Sequence, residues 1–504
     1  MDHFDSLQQK LVSMWQAIGS TLDEPEAAER TVVVIPSLTV DIDLTSSAQQ
    51  AYEERLLFLL LLLRKPGIRV IYVTSQVIQP GIIDYYLQLL PGIVSSSARK
   101  RLCCVSPEDG SSLPLTQKLL DRPALVKHIR SLIPDLDQAH MVPFLTTDLE
   151  RKLAVQLGIP MYAADPRFFA FGTKSGCRRV FVEEGIRHPL GQEDLYSADA
   201  VVEAIANIRA QRPPVQRVVV KLNEGVSGLG NAIVDVTGLP APGSGTERAA
   251  IHDRLRAMQL ESGGATVDDY LQTLAERGAI VEEYILGVEV RSPSAQLRVS
   301  PLGEVEMLST HDQMLGGPSG QSYLGAIFPA DPAYSWPIMR DAATVGRRFA
   351  QEGIVGRFAL DFVTVRAEDG TWNTYAIEVN LRKGGTTAPF LILQYLTDGC
   401  YDAESGVFTT AQGHPKYYVA SDHVESPAYR AFTVSHLFDI VSNHDLHYDH
   451  ATQTGVVMHM LTGVAELGRV GITAIADSPD DAQALYRRFI AILDREAAAL
   501  SPPA

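Results

Sequence analysis

Eight apolar residues in succession, Leu56 to Leu63, lie between Glu53-Glu54-Arg55 and Arg64-Lys65-Pro66. A membrane span needs about 20 residues, so the run is too short to cross a bilayer, and a helix this apolar has no face to give to water. It has to be covered on every side. The flanking sequence names one cover: TVVVIPSL (31–38) and IRVIYVTSQ (68–76) read as β-branched strands, and IDYYLQLL (83–90) as the next helix. Strand, helix and strand in that rhythm are the grammar of a parallel sheet with crossover helices.

The grammar persists from Thr31 to about Asp165 and predicts a Rossmann-like α/β domain over 1–165. No GxGxxG follows Val34 or Val73, so the domain reads as a scaffold or substrate-side wall and not as a dinucleotide site. Strands separated by glycine-rich loops then predict an α+β core over 166–399, and a small α+β unit closes the chain over 400–504. The 504 residues accommodate three such domains at roughly 150 each. In the core, Thr266 and Asp269 cap a helix that Gly278 stops, with a strand directly after it; Ser478-Pro479-Asp480-Asp481 opens the last helix.

A formal charge of −17 repels phosphate backbones and anionic bilayers. It argues against nucleic acid and membrane as surface partners, and any polyanion bound must meet local cations. Cys103 and Cys104 are adjacent while Cys177 and Cys400 stand alone, which fits neither a disulfide framework nor a CxxC metal site. With no signal-like pattern in MDHFDSLQQKLVSMW, the expectation is a cytoplasmic protein.

Three stretches carry chemistry. Val218-Val219-Val220-Lys221 is a strand ending in a cation and opening into Gly225-Val226-Ser227-Gly228-Leu229-Gly230, where close backbone approach suits phosphate; it also suits a surface lysine before a hairpin. Ala279 to Val290 carries paired acids, Glu282 and Glu283, and a Gly-x-Glu turn at Glu289. Those acids either meet the donors of a bound nucleoside or are solvated on an edge strand. The third is the most specific. Asp361 and Glu378 lie on two strands around the turn Glu368-Asp369-Gly370, with Asn380 two residues beyond Glu378 and so on its face. Two carboxylates and an amide oxygen are hard ligands suited to Mg²⁺.

In this order, together with Lys174 in FGTKSGCRRVFVEEGIRHP, the stretches resemble the ATP-grasp superfamily over about 166–389. SxHDQ…GGPSGQSYLGAIFPA (309–330) and GVVMHML…GRVGITAIADS in the last unit extend the resemblance to the pheganomycin-type peptide ligases. The resemblance implies that Lys174 and Lys221 contact the α- and β-phosphates of ATP, with Gly228 and Gly230 in the covering loop. It implies that Glu282 accepts from the adenine amine, that Glu283, Tyr284 and Ile285 border the base, and that Glu289 holds the ribose. Asp361, Glu378 and Asn380 would hold Mg²⁺, with Mn²⁺ as a substitute, and Arg382 would sit against the transferred phosphoryl group. Related ligases often carry a further lysine where this strand ends in His311-Asp312-Gln313, which leaves the γ-phosphate contact there to Arg298, His311 or Gln313.

What the resemblance implies is an ATP-dependent ligase. It would join the carboxylate of an amino acid or related acid to the amine of an amino acid or short peptide through an acyl phosphate, in peptide natural-product biosynthesis. A homodimer is left open. The rival readings are another ATP-grasp reaction, such as a carboxylase or acyl-CoA-forming ligase, and a nucleotide-binding protein without catalysis. His444, His447, His450 and His459 invite a metal reading, but Asn443, Asp445, Asp449 and Thr452 argue for a turn with no organised ligand shell.

Overall fold

The computed structural model of the chain describes residues 3–19, 29–39, 45–225, 230–261, 265–317 and 320–500. Four strands, β1 (Arg30–Ile35), β2 (Ile68–Val73), β3 (Leu102–Val105) and β4 (Ala139–Pro143), pair in parallel in the order β3-β2-β1-β4. Every residue of β1 is buried, as expected of a strand covered on both faces. The Leu run fills the crossover from β1 to β2, within Glu54–Arg64. It is wound as a 3₁₀ helix and not as the α-helix its length suggests. One side packs on Val32, Val34, Val70 and Tyr72 of the front sheet. The rest is buried against the helix Thr387–Thr397 and residues far down the chain.

A second sheet is antiparallel and made of β5 (Gly191–Leu195), β6 (Arg217–Leu222), β7 (Asn231–Asp235), β8 (Gln259–Leu260) and β9 (Ala279–Glu283), in the order β5-β9-β6-β7-β8. The helix before β9, Val267–Arg277, has the expected capping box of Thr266 and Asp269, and Gly278 ends it.

The third sheet draws on β10 (Glu289–Arg291), β11 (Pro293–Val299), β12 (Val305–Gly316), β13 (Ser322–Phe328), β14 (Gly356–Arg366) and β15 (Trp372–Asn380). After a small ribbon, β16 (Cys400–Asp402) with β17 (Val407–Thr409), the sheet continues through β18 (Tyr417–Glu425), β19 (Gly455–His459) and β20 (Arg469–Ala476). Its order is β10-β14-β11-β12-β13-β18-β20-β19, with β15 on the other side of β14. The division expected at 399/400 therefore falls within one hydrogen-bonded sheet, because β13 pairs with β18. A single apolar core joins the Leu run, Phe328, Phe390 to Leu393, Tyr418 and Phe489, and so draws on all three expected units. Among the described residues no helix is long and apolar enough to cross a membrane.

Candidate active site

On β6 the side chains alternate: Val218 and Val220 enter the core beneath the five-stranded sheet, while Val219 and Lys221 line a cavity. β9 runs beside it with Glu282 opposite Val219. The buried Glu282 carboxylate accepts from Lys221 Nζ at 2.7 Å and from Arg178 Nη1 at 2.6 Å. Burial alone would push Glu282 up, but Lys221 and then Arg178 outweigh it and hold the acid below its ordinary range. Arg178 Nε also meets Glu193 at 3.2 Å, so the cluster has two cations and two anions, and of the cations Lys221 alone lines the cavity.

The hairpin β14–β15 places Asp361 directly opposite Glu378, and Ala359 opposite Asn380. Leu360 and Val379 point the other way into the core. Asn380 Nδ2 donates to Asp361 Oδ2 at 2.8 Å and to Glu378 Oε1 at 3.0 Å, so the amide spans the gap between two like charges. Gln313 Nε2 donates to Asp361 Oδ1 at 2.8 Å, and Lys174 Nζ, from the first turn of the helix Lys174–Glu183, donates to Glu378. Burial and then the Glu378 charge push Asp361 up to about 7. Burial would raise Glu378 too, but Lys174 above all brings it down to about 2. Here two carboxylates share one ammonium. Arg382 follows on the same wall, its guanidinium donating to Lys383 O at 3.1 Å and to no carboxylate among the described residues.

Both clusters line one cavity of about 1300 Å³. That exceeds the roughly 300–1,000 Å³ that holds one drug-sized ligand, so a nucleotide and a second substrate fit together. The residues also fit a Mg²⁺ ion. Hard oxygens converge there, Asp361 and Glu378 face each other with one ammonium between them, and turning the Asn380 amide would present Oδ1 in place of Nδ2. Among the described residues no three His, Cys, Asp or Glu side chains gather as a metal site, so a third protein ligand beside Asp361 and Glu378 would have to be that amide.

The other predicted site residues are placed as follows. Glu282, expected at the adenine amine, has each oxygen engaged by a cation, Lys221 or Arg178. Glu283 is held by Leu190 N at 2.9 Å and Arg212 Nη1 at 2.5 Å, at the cavity edge beside Tyr284 and Ile285. Glu289, expected at the ribose, pairs with Arg291 at 2.5 Å and Arg366 at 3.6 Å and is not among the residues that line the cavity, although Val290 and Arg291 are. Arg298 shares a sheet face with Asp361 but lies four residues along β11, about 13 Å away at strand rise. It pairs with Glu306 and lies 5.1 Å over the Trp15 ring, outside the cavity. His311 is fully buried on Tyr418 Oη at 2.7 Å, and burial pushes it down to about 3. Of the three candidates for the γ-phosphate contact, Gln313 alone lines the cavity. Gly230 does too, whereas Gly228 lies outside the described residues.

The four histidines are dispersed. His444 meets Glu496 at 3.0 Å, His450 packs edge-on to Tyr448, His447 bridges Val456 through its backbone, and His459 meets Asp422 at 2.8 Å. Sequence reasoning passed over Arg178, although its i, i+4 spacing from Lys174 puts both cations on one helix face. It had no signal for Arg55 and Asp422, which line the cavity from 367 residues apart.

The family described as IQCH-like, ATP-grasp matches residues 168–259 and 265–404, the stretch that holds both charge clusters. That stretch of the chain is similar to the ATP-grasp enzymes in sequence. A second family, the PGM1 C-terminal domain, matches residues 436–489. The L-propargylglycine–L-glutamate ligase of Streptantibioticus cattleyicolor is 29% identical over 445 residues, covering 86% of this chain and 87% of the relative. IQ motif-containing protein H of Danio rerio is 25% identical over 447 residues, 79% of this chain; the match spans only 41% of that protein's length. Among solved structures, a biotin carboxylase from Campylobacter jejuni in complex with a form of ATP aligns with TM-score 0.54 at 13% identity, covering 95% of this chain and 96% of that one. The biotin carboxylase domain of Hydrogenobacter thermophilus 2-oxoglutarate carboxylase aligns with TM-score 0.55 at 12% identity, covering 92% and 89%. At such identities the likeness is one of ATP-grasp fold.

Proposed function

We propose that the chain is an ATP-dependent carboxylate–amine ligase that joins an amino acid or related acid to the amine of an amino acid or short peptide and releases ADP and phosphate. The observation that carries this reading is the convergence, in one cavity, of Lys221 and Lys174 with two carboxylates that share one ammonium, beside an arginine that pairs with no carboxylate among the described residues. Lys221, aimed by Glu282, binds and orients phosphate oxygens, Arg178 positions Glu282 from outside the cavity, and Lys174 bridges toward the carboxylates. Asp361, Glu378 and Asn380 hold Mg²⁺, which when bound neutralises charge on the phosphates.

Arg382 holds the acid substrate's carboxylate oxygen in line with the γ-phosphorus. The P–O bond to ADP breaks as the bond to that oxygen forms, and the resulting acyl phosphate is electrophilic enough for the amine. Nitrogen attacks the acyl carbon, phosphate leaves, and the amine gives up a proton. Walls of buried side chains limit the water that would otherwise hydrolyse the anhydride. The amide-ligase relative supports this reading over a carboxylase, since it matches most of both chains, while the carboxylase likeness is one of fold.

The test is incubation with Mg²⁺, ATP and a pool of the L-amino acids, following ADP, phosphate and new masses. ADP and phosphate formed in step with a condensation product are expected. AMP as the product, or ADP release that needs bicarbonate and no amine, would sink the reading.

A further inference from the structure

The cavity has a wall that the phosphate chemistry does not use. Arg55, next to the Leu run, and Asp422, on β18, both reach it. Arg55 Nη2 donates to Asp422 Oδ2 at 2.5 Å, its Nε lies 3.4 Å from Met460 Sδ, and its guanidinium is 4.5 Å from the centre of the Tyr52 ring. Asp422 Oδ1 is in turn 2.8 Å from Nε2 of the buried His459. The seat of that histidine is cleared by Gly471, where a Cβ would lie 2.2 Å from the ring. Arg55 is thus fixed on three sides, while Nη1 has no hydrogen-bond partner among the described residues.

Arg382 is the second guanidinium with open donors. The two lie close enough for their charges to oppose each other, and the Tyr323 hydroxyl lies within the fields of both Asp361 and the Arg55–Asp422 pair. Two forks with unfilled donors at separate points of one cavity suit two carboxylates, because a planar guanidinium matches that group in a bidentate manner. Arg382, beside Asp361 and Glu378, takes the one that is activated.

We propose that Arg55, aimed by Asp422 and His459, binds a second substrate carboxylate that is not activated, so that the enzyme selects an α-amino acid by its free α-carboxylate. This rests on the ligase reading above. Arg55 is a binding residue, and Asp422 and His459 are positioning residues that act through it. The carboxylate belongs either to the amine-bearing substrate or to the acid that is activated elsewhere in its structure.

The experiment compares ADP release and thermal shift for wild type, Arg55→Lys and the double variant Arg55→Met with Asp422→Asn, which leaves no unpaired buried carboxylate. The probes are a pool of L-α-amino acids and the same pool as α-carboxamides, each with Mg²⁺ and ATP. Wild type is expected to prefer the acids by about 10- to 100-fold in half-saturating concentration. Both variants should lose that preference, with maximal rate within about threefold and the KM for ATP unchanged. Product masses from a mixed pool of acids and amides identify the source: amide retained only on the amine-bearing residue assigns the carboxylate to the activated acid, and the converse to the amine.

Variants that keep the wild-type preference overturn the proposal, and so does a loss of rate at unchanged half-saturation. Should the double variant fail to fold, Arg55→Lys, which keeps the charge and loses the fork, decides. If wild type releases no ADP with any pool, the ligase reading fails instead. A thermal shift with acids but not amides, absent in Arg55→Lys, would still uphold the carboxylate site, and its absence in wild type would remove it.

Discussion

The two buried charge clusters at the cavity differ in balance. Around Glu282, Lys221 and Arg178 are matched by Glu282 and Glu193; around Glu378, Asp361 adds an anion that Lys174 alone does not balance. In a protein interior an unbalanced charge is costly. The first cluster therefore fixes Lys221 at the cavity wall and the second is complementary to a cation, and a fixed ammonium beside a cation site suits a metal-bound polyphosphate. The net charge of −17 carries none of this, because a sum does not say where the charges lie.

The contrast can be broken by making the same carboxylate-to-amide change on each side. The largest expected effect is on turnover: Glu378→Gln should lower ADP formation by about 10²- to 10³-fold with the fold intact by circular dichroism. An equal loss in Lys221→Met without any loss in Glu378→Gln would reverse the roles assigned to the clusters. Next in size, Glu282→Gln leaves Lys221 and Arg178 facing a neutral amide, and it should cost roughly 3–5 kcal/mol of stability, read by urea unfolding. The smallest effect has the opposite sign. Asp361→Asn removes one of two facing carboxylates, so the metal-free protein should melt at the same temperature or a few degrees higher, and the rise in melting point expected of wild type with Mg²⁺ and ATP should be lost. A marked destabilisation by Asp361→Asn without metal would mean that the second cluster is balanced after all.

How far the sequence could be read follows from the distance over which its signals act. The hairpin that sets Asp361 against Glu378 was legible because strand parity and a short turn are local, and the capped helix before β9 for the same reason. The partner of Glu282 was not, since it depends on which way a helix 104 residues upstream presents Arg178. Arg298 shows the limit of parity: it shares the sheet face of Asp361, yet strand rise carries it beyond the cavity to Trp15. The Leu run announced that it must be covered, while nothing local could say that half of its cover comes from residues 387–397 and from the last hundred residues.

That run is pinned at both ends as well as along its length. Glu54 accepts from Thr462 N at 3.1 Å and from the Thr462 hydroxyl, and Arg64 donates to Tyr395 O at 2.6 Å and pairs with Asp398. The consequence concerns modularity. A chain cut after residue 165 would strip the run of its outer cover, and one cut after 399 would open the edges of β13 and β18 to any passing strand. The front, middle and end of this sequence are not exchangeable cassettes. If Arg55 binds a substrate carboxylate as proposed, new selectivity would be sought by substitutions around Arg55 and Asp422, where the first and last thirds of the chain meet, and not by swapping either third for a relative's.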